Sequence, residues 1–140
     1  MRVAGIGYII NGYKMIVIFG GVYQGKLVYA LDRFGLTHDD IFSCTEDDIT
    51  MPENKKIIYE IDKWILALIK AELDVNQELQ RFINANKDKI VICNDISCGV
   101  VPIDPVLRKW REAVGRSMAE LSRYSSEVVR LFCGIPARIK

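Results

Sequence analysis

The chain has 140 residues, of which 50% are hydrophobic and 26% charged, and its formal net charge is +1. This length suits one domain with a single core, and the balanced charge gives no electrostatic reason to expect a nucleic acid or an anionic membrane as a partner. No apolar run is long enough to predict a membrane span.

The first 14 residues carry three glycines among apolar side chains and lack a signal-peptide pattern. One hypothesis is that the natural chain starts at Met15 and that residues 1–14 are an extension. The alternative is an additional edge strand at Gly7–Ile10. In either case we expect residues 15–140 to form a single domain.

A strand, a glycine-rich turn and a helix are predicted next to each other at the start of this domain. An apolar, β-branched run begins at Met15 and ends in Gly20-Gly21, and a helical pattern follows over Lys26–Phe34 with Gly35 after its last turn. This order is typical of phosphate-binding loops, in which main-chain N–H groups and the helix N-terminus face the anion.

The turn from Gly20 to Lys26 fits the pattern G-x-x-x-x-G-K, whose lysine adds a positive charge beside the phosphates. Leu27 stands where this pattern has the Ser or Thr that binds Mg²⁺. We therefore expect the loop to hold a phosphate and to place a metal less well. An ordinary glycine turn between a strand and a helix is the alternative interpretation.

Strands and helices alternate through the rest of the chain. Strands are predicted at Ile41–Cys44, Lys56–Ile61, Ile90–Cys93 and Glu127–Cys133, with Gly134-Ile135-Pro136 ending the last one. Helices are predicted over Lys63–Ala71, from the capping residue Asp74 to about Asn84, and from Asp104-Pro105 to Leu121. This alternation indicates βαβ units and a parallel sheet.

The four cysteines form no C-x-x-C pair, and the only histidine is distant from them in sequence. Zinc is therefore not expected. Three of the four lie in apolar, strand-like runs, which predicts buried free thiols and a reducing, cytoplasmic compartment. The four are Cys44, Cys93, Cys98 and Cys133.

Polar side chains at the ends of predicted strands are candidates for a ligand site, because loops after parallel strands build such sites. Glu60 could hold Mg²⁺ through water or orient an acceptor hydroxyl, and its alternative is a solvated carboxylate. Asn94 and Asp95 end the next predicted strand, where capping of the following turn is the alternative.

Three further residues have a structural interpretation beside the functional one. Arg116 could neutralise phosphate, but an ion pair with Glu112 one turn earlier is the simpler expectation. Trp64 and Trp110 lie on apolar helix faces, which is typical of core residues.

Three stretches carry a resemblance to a known family. GGVYQGK at Gly20–Lys26 is similar to a GGxxSGKS loop, and IIYEIDKWILAL at Ile57–Leu68 is similar to LLDCLTLWLTNL. The C-terminal third is similar to TNEVGxGIVP, aRxFRDxxGRxNQ and SGIPxxLK in this order, with CNDISCGVVP at Cys93–Pro102, LRKWREAVGR at Leu107–Arg116 and CGIPARIK at Cys133–Lys140. Together they resemble the adenosylcobinamide kinase / adenosylcobinamide-phosphate guanylyltransferase family of cobalamin biosynthesis.

The resemblance implies an α/β fold, P-loop NTPase-like and RecA-like, with three layers and a mainly parallel sheet of about five strands. It implies a kinase that uses ATP or GTP with Mg²⁺ on a corrinoid substrate, with Lys26 and Glu60 as catalytic residues and Glu60 as a metal ligand. A homo-oligomer is a further expectation. The nucleotide-binding residues that it implies are Gly20, Gly21, Val22, Tyr23, Gln24, Gly25, Lys26, Leu27, Asn94, Asp95 and Arg116.

Several residues depart from the family pattern. Leu27 replaces its Mg²⁺-binding Ser, and Glu60 replaces an Asp. Further changes are Asp95 for Glu, Ser97 for Gly and Met118-Ala119 for Asn-Gln.

The chain is also much shorter than the family between Cys44 and Lys55, where the family carries the histidine that accepts GMP. His38 is not expected to replace it, because a helix of nine residues at about 1.5 Å per residue would put it more than about ten ångströms from the phosphates. We therefore expect the guanylyl-transfer half to be lost. The alternative function is a non-catalytic relative that acts as a nucleotide-binding or protein-interaction module.

Overall fold

A computed structural model describes residues 14–96 and 101–140. The two hypotheses for the N-terminal segment fall almost wholly on residues 1–13 and therefore lie outside the described residues. The same holds for the predictions that concern Ser97 and Cys98.

The described strands form one sheet of six. They are β1 (Ile16–Gly20), β2 (Ile41–Ser43), β3 (Ile57–Tyr59), β4 (Ile90–Asn94), β5 (Glu127–Phe132) and β6 (Ile135–Arg138), in the spatial order β2-β3-β4-β1-β5-β6. The first five run parallel, and β6 pairs antiparallel with β5. The predicted α/β class with a mainly parallel sheet is confirmed, and β1 lies in the middle of it.

Helices cover both faces of the sheet, which gives three layers. They are α1 (Lys26–Phe34), α2 (Ile61–Lys70), α3 (Val75–Ala85) and α4 (Pro105–Tyr124). Neighbouring strand residues face opposite layers: Val17, Val91 and Val128 pack with α2, α3 and α4, whereas Ile18, Ile92 and Val129 pack with α1. Burial on both faces explains why these strands are almost continuously apolar.

The residues predicted to cap helices do so in the structure. Asp74 accepts a hydrogen bond from the N–H of Gln77 at 3.1 Å, and Asp104 accepts one from the N–H of Val106 at 2.8 Å, so both cap helices. Gly35 adopts the left-handed conformation at the end of α1, as expected for this position.

Strand β6 was not predicted. Gly134-Ile135-Pro136 was expected to end the last strand, but Cys133 and Gly134 both have positive φ, at 52° and 75°, and form a two-residue hairpin turn. Pro136 lies in the edge strand, where its missing N–H costs no ladder hydrogen bond.

The expectation of buried free thiols holds for Cys44 and Cys93 and is wrong for Cys133, because the hairpin turn exposes it. Burial raises the pKa of Cys44 to about 12, so this thiol is inert. Within the described residues, no helix combines the length and apolar character needed to cross a membrane.

Candidate functional site

The loop between β1 and α1 is shaped by two unusual backbone features. At Gly20 a Cβ atom would collide with the carbonyl oxygen of Leu131 on β5, so only glycine allows the two strands to approach here. Tyr23 and Gly25 are left-handed, at φ 65° and 85°, and Gln24 between them is not. Such alternation turns successive N–H groups toward one side and makes a concavity suited to an anion.

Lys26 is the first residue of α1 and is only 4% exposed. Its Nζ atom donates a hydrogen bond to the carbonyl of Gly21 at 2.6 Å and so closes the loop. Burial lowers the pKa of Lys26, and the charges of Asp62, Cys93 and Glu60 oppose this shift. The ammonium group is thus held next to the loop amides and faces two carboxylates.

Both carboxylates follow β3. Glu60 is left-handed at φ 59°, so β3 ends at Tyr59 and α2 begins at Ile61, earlier than predicted. This sharp turn places Asp62 in the first turn of α2, where it is 2% exposed. Burial raises the pKa of Asp62, and hydrogen bonds from Asn94 oppose the shift.

Asn94, the last residue of β4, connects the two carboxylates. Its N–H donates to Asp62 Oδ1 at 3.0 Å, and its Nδ2 atom donates to Asp62 Oδ2 at 3.3 Å and to Glu60 Oε2 at 3.0 Å. Lys63 Nζ lies 3.1 Å from Glu60 Oε1, and the indole N–H of Trp110 donates to the carbonyl of Asp62 at 2.7 Å. The start of α2 is therefore fixed from two sides.

These groups line one cavity of about 510 Å³, where β1, β3 and β4 end. Of the predicted site residues, it brings together Val22, Tyr23, Gly25, Lys26, Leu27, Glu60 and Asn94. The sequence interpretation missed six residues that also line it, namely Val28, Tyr59, Asp62, Lys63, Ile96 and Trp110. Trp110 packs partly against the core as expected, but it also reaches the cavity.

The remaining loop residues support the cavity from outside it. Gly20 and Gly21 form the entry to the turn, and Gly21 accepts the Lys26 hydrogen bond. Gln24 faces away toward the β5–β6 turn, where its carbonyl accepts from the N–H of Gly134 at 3.2 Å and its Oε1 atom accepts from the N–H of Cys133.

The structure does not bring Asp95 and Arg116 into this cavity. Asp95 lines a second cavity of about 310 Å³ against α4, and its N–H donates to the carbonyl of Gly20 at 2.8 Å. Arg116 pairs with Glu112 at 2.8 Å on the exposed side of α4, which is the alternative that the spacing indicated.

His38 lies in a short 3₁₀ turn, His38–Asp40, and is exposed. This turn comes directly before β2, at the edge of the sheet opposite to the Lys26 cavity. His38 thus precedes a parallel strand, whereas the glycine loop follows one, which agrees with the expected separation. Trp64 is buried in the core as predicted, and its indole N–H donates to the carbonyl of Ile49 at 3.0 Å.

The cavity does not fit a Mg²⁺ ion held by the protein. Glu60 and Asp62 already receive nitrogen donors on both oxygens, and Leu27 packs against the core below α1 instead of offering an oxygen. Among residues 14–96 and 101–140, no three His, Cys, Asp or Glu side chains cluster in a way that could hold a metal ion. The metal role of Glu60 stays a prediction from the resemblance.

The signal for Asp62 was present in the sequence, because it lies two residues after Glu60. The predicted strand ran through Ile61 and so hid the helix start. A left-handed conformation at a glutamate is uncommon, and no local sequence pattern predicts it at position 60.

A family model described as cobinamide kinase / cobinamide phosphate guanyltransferase matches residues 47–139, about two thirds of the chain. The matched range includes Glu60, Asp62, Asn94 and Trp110 and begins after the glycine loop. No curated protein matches the chain.

Proposed function

This chain belongs to the cobinamide kinase / cobinamide phosphate guanyltransferase family, which supports a role in cobalamin biosynthesis, and we propose that its Lys26 cavity binds ATP or GTP and phosphorylates adenosylcobinamide. The observation that carries the proposal is the meeting of a buried lysine, a glycine loop and two carboxylates in one cavity at the carboxyl edge of the sheet. This is the edge at which parallel α/β sheets bind ligands.

The proposed binding mode uses the loop amides and Lys26. The main-chain N–H groups from Gly21 to Lys26 would surround the phosphates, and the Lys26 ammonium would contact the β- and γ-phosphate oxygens. Because the cavity shields Lys26 from water, its charge acts more strongly there than on the surface.

The proposed transfer is a direct displacement. The hydroxyl oxygen of the aminopropanol arm of adenosylcobinamide bonds to the γ-phosphorus, and the bond from that phosphorus to the bridging oxygen of the leaving diphosphate breaks. The hydroxyl proton passes to the carboxylate of Glu60, which orients the acceptor. Asn94 supports this role, because its hydrogen bond to Glu60 Oε2 fixes the carboxylate, whose Oε1 atom pairs with Lys63 on the side chain's exposed side.

We propose that guanylyl transfer through a histidine is absent. His38 is the only histidine of the chain, and it lies at the opposite edge of the sheet from Lys26. Incubation with labelled GTP is expected to leave no acid-labile, base-stable phosphoramidate on the protein. A label on His38 would contradict this part of the proposal.

A second candidate function is nucleotide binding without transfer, which the loss of the hydroxyl at Leu27 favours. One experiment separates the two. The protein is titrated with GTP and ATP by calorimetry and then incubated with γ-labelled nucleotide and adenosylcobinamide. We expect binding and a labelled corrinoid. Binding without a labelled corrinoid would leave the second candidate, and no binding of either nucleotide would contradict both.

A further inference from the structure

A second lysine lines the Lys26 cavity. Lys63 is the third residue of α2, its Nζ atom lies 3.1 Å from Glu60 Oε1, and its side chain is 42% exposed. A cation in the first turn of a helix faces the positive end of the helix dipole and is unfavourable there. The helix dipole therefore disfavours the charge of Lys63 at this position, and the pair with Glu60 compensates for this effect.

Two features allow Lys63 to leave Glu60. The Lys63 side chain is long and 42% exposed, so it has room to reorient. Glu60 keeps its hydrogen bond from Asn94 Nδ2 at 3.0 Å when the lysine moves away. The hydrogen bond to the Glu60 carboxylate raises the pKa of Lys63 above its ordinary value, so the amine is protonated in this pair.

The charges in the cavity are balanced in this conformation. Lys26 faces Asp62 and Glu60, and Lys63 pairs with Glu60, so two ammonium groups meet two carboxylates. A triphosphate adds several negative charges, and among residues 14–96 and 101–140 no cluster of side chains could hold a Mg²⁺ ion. The lysine that can change its partner is the group available to neutralise them.

We propose that Lys63 binds the terminal phosphate of the nucleotide by exchanging Glu60 for a phosphate oxygen, and so takes over charge neutralisation where the protein does not hold a metal. The inference rests on the proposed nucleotide site. The exchange breaks one charge-assisted hydrogen bond to Glu60 and forms one to the phosphate. It also frees Glu60 Oε1 to accept the hydrogen bond of an acceptor hydroxyl.

The chain contains a matched control for this lysine. Lys70 belongs to the same helix, its Nζ atom also lies 3.1 Å from a glutamate oxygen, Glu46 Oε1, and its side chain is 43% exposed. It lies at the far end of α2, outside the Lys26 cavity. A variant of Lys70 therefore reproduces the loss of charge and of a surface pair without touching the site.

The test is calorimetric titration of the full chain with GTP in EDTA and again with Mg²⁺. Lys63→Met is expected to weaken GTP binding in EDTA by about tenfold, the effect of losing one charged hydrogen bond. Lys70→Met is expected to stay within about twofold, since exposed pairs contribute little. Lys63→Arg keeps the charge and is expected to restore most of the affinity. Binding of guanosine, which has no phosphate, is expected to be equal in all variants.

The outcomes separate this inference from the function on which it rests. If the native chain binds neither GTP nor ATP, the proposed function fails. If the native chain binds GTP and Lys63→Met binds it equally well, only the inference fails. An equal loss in Lys63→Met and Lys70→Met would also overturn it, because the effect would then be general electrostatics. Should Lys63→Met melt at a lower temperature, Lys63→Gln provides the same comparison with a neutral donor left beside Glu60.

Discussion

Two cavities open side by side at the carboxyl edge of the sheet, and they differ in what lines them. The cavity around Lys26 holds two lysines and two carboxylates, whereas the one that contains Asp95 lies against α4 and is mainly apolar. Asn94 lines both. Asp95 lines only the second, so a shift of one residue at the end of a strand takes a side chain out of the Lys26 cavity, because successive side chains of an extended chain point to opposite faces.

Replacing Lys26 in the first of these cavities is expected to lower catalytic activity most. Lys26→Met removes the ammonium that is bonded to the glycine loop and should lower kcat/KM for phosphoryl transfer by about a thousandfold, in the range seen when a key electrostatic donor is lost. The measurement is transfer of labelled γ-phosphate to adenosylcobinamide.

Lys89→Met is its control. Lys89 is also a buried lysine that donates to main-chain carbonyls, those of Glu53 and Lys55, but it lies at the start of β4 on the opposite edge of the sheet. We expect Lys89→Met to lower stability and to leave kcat/KM within about threefold, since it lies far from the proposed site. Equal loss in both variants would contradict the assignment of Lys26.

Replacing one carboxylate in each cavity tests whether the two cavities act separately. Glu60→Gln is expected to lower kcat by about a hundredfold with a small change in KM for the nucleotide, because it removes the proton acceptor. Asp95→Asn is expected to change either value by less than about twofold, as an isosteric change outside the Lys26 cavity. A larger loss in Asp95→Asn would mean that the two cavities act as one site.

Adding a methyl group tests the backbone beside each cavity. Gly20→Ala should lower the free energy of unfolding by about 3 kcal/mol or more, because the new Cβ collides with the backbone of Leu131. Gly115→Ala, in α4 beside the second cavity, meets no atom within 4 Å and should raise it by about 0.5–1 kcal/mol. Urea unfolding measures both. If Gly20→Ala is as stable as the native chain, the close approach of β1 and β5 is wrong.

The smallest expected effect concerns the metal. In the native chain, GTP affinity should change by less than about threefold between EDTA and Mg²⁺, because Leu27 offers no ligand. Leu27→Ser is expected to make binding stronger in Mg²⁺ by about fivefold, through the restored hydroxyl. Leu27→Ala removes the same leucine without adding an oxygen and should show no such gain. If Leu27→Ala also binds GTP more strongly in Mg²⁺, the effect comes from packing and not from the hydroxyl.

Much of the fold followed from local signals in the sequence. The glycine loop, both ends of α1 and the caps at Asp74 and Asp104 are determined within a few residues, so periodicity and capping residues predicted them. The interaction of Arg116 with Glu112 was likewise a matter of spacing on one helix.

The features that escaped prediction depend on tertiary structure. A left-handed glutamate at position 60 ends β3 early, and its carboxylate contacts Asn94 and Lys63, of which Asn94 is distant in sequence. This turn places Asp62 in the first turn of α2, where it lines the Lys26 cavity. Strand β6 requires the edge of β5 as its partner, and no local pattern marks Pro136 as a strand residue.

Amide hydrogen exchange with and without GTP reports which cavity the nucleotide occupies. If GTP binds in the Lys26 cavity, exchange is expected to slow at residues 21–26 and at the start of α2, residues 61–63, with no change across residues 111–122 of α4. Protection confined to residues 111–122, or none at any of these segments at saturating GTP, would contradict binding in that cavity.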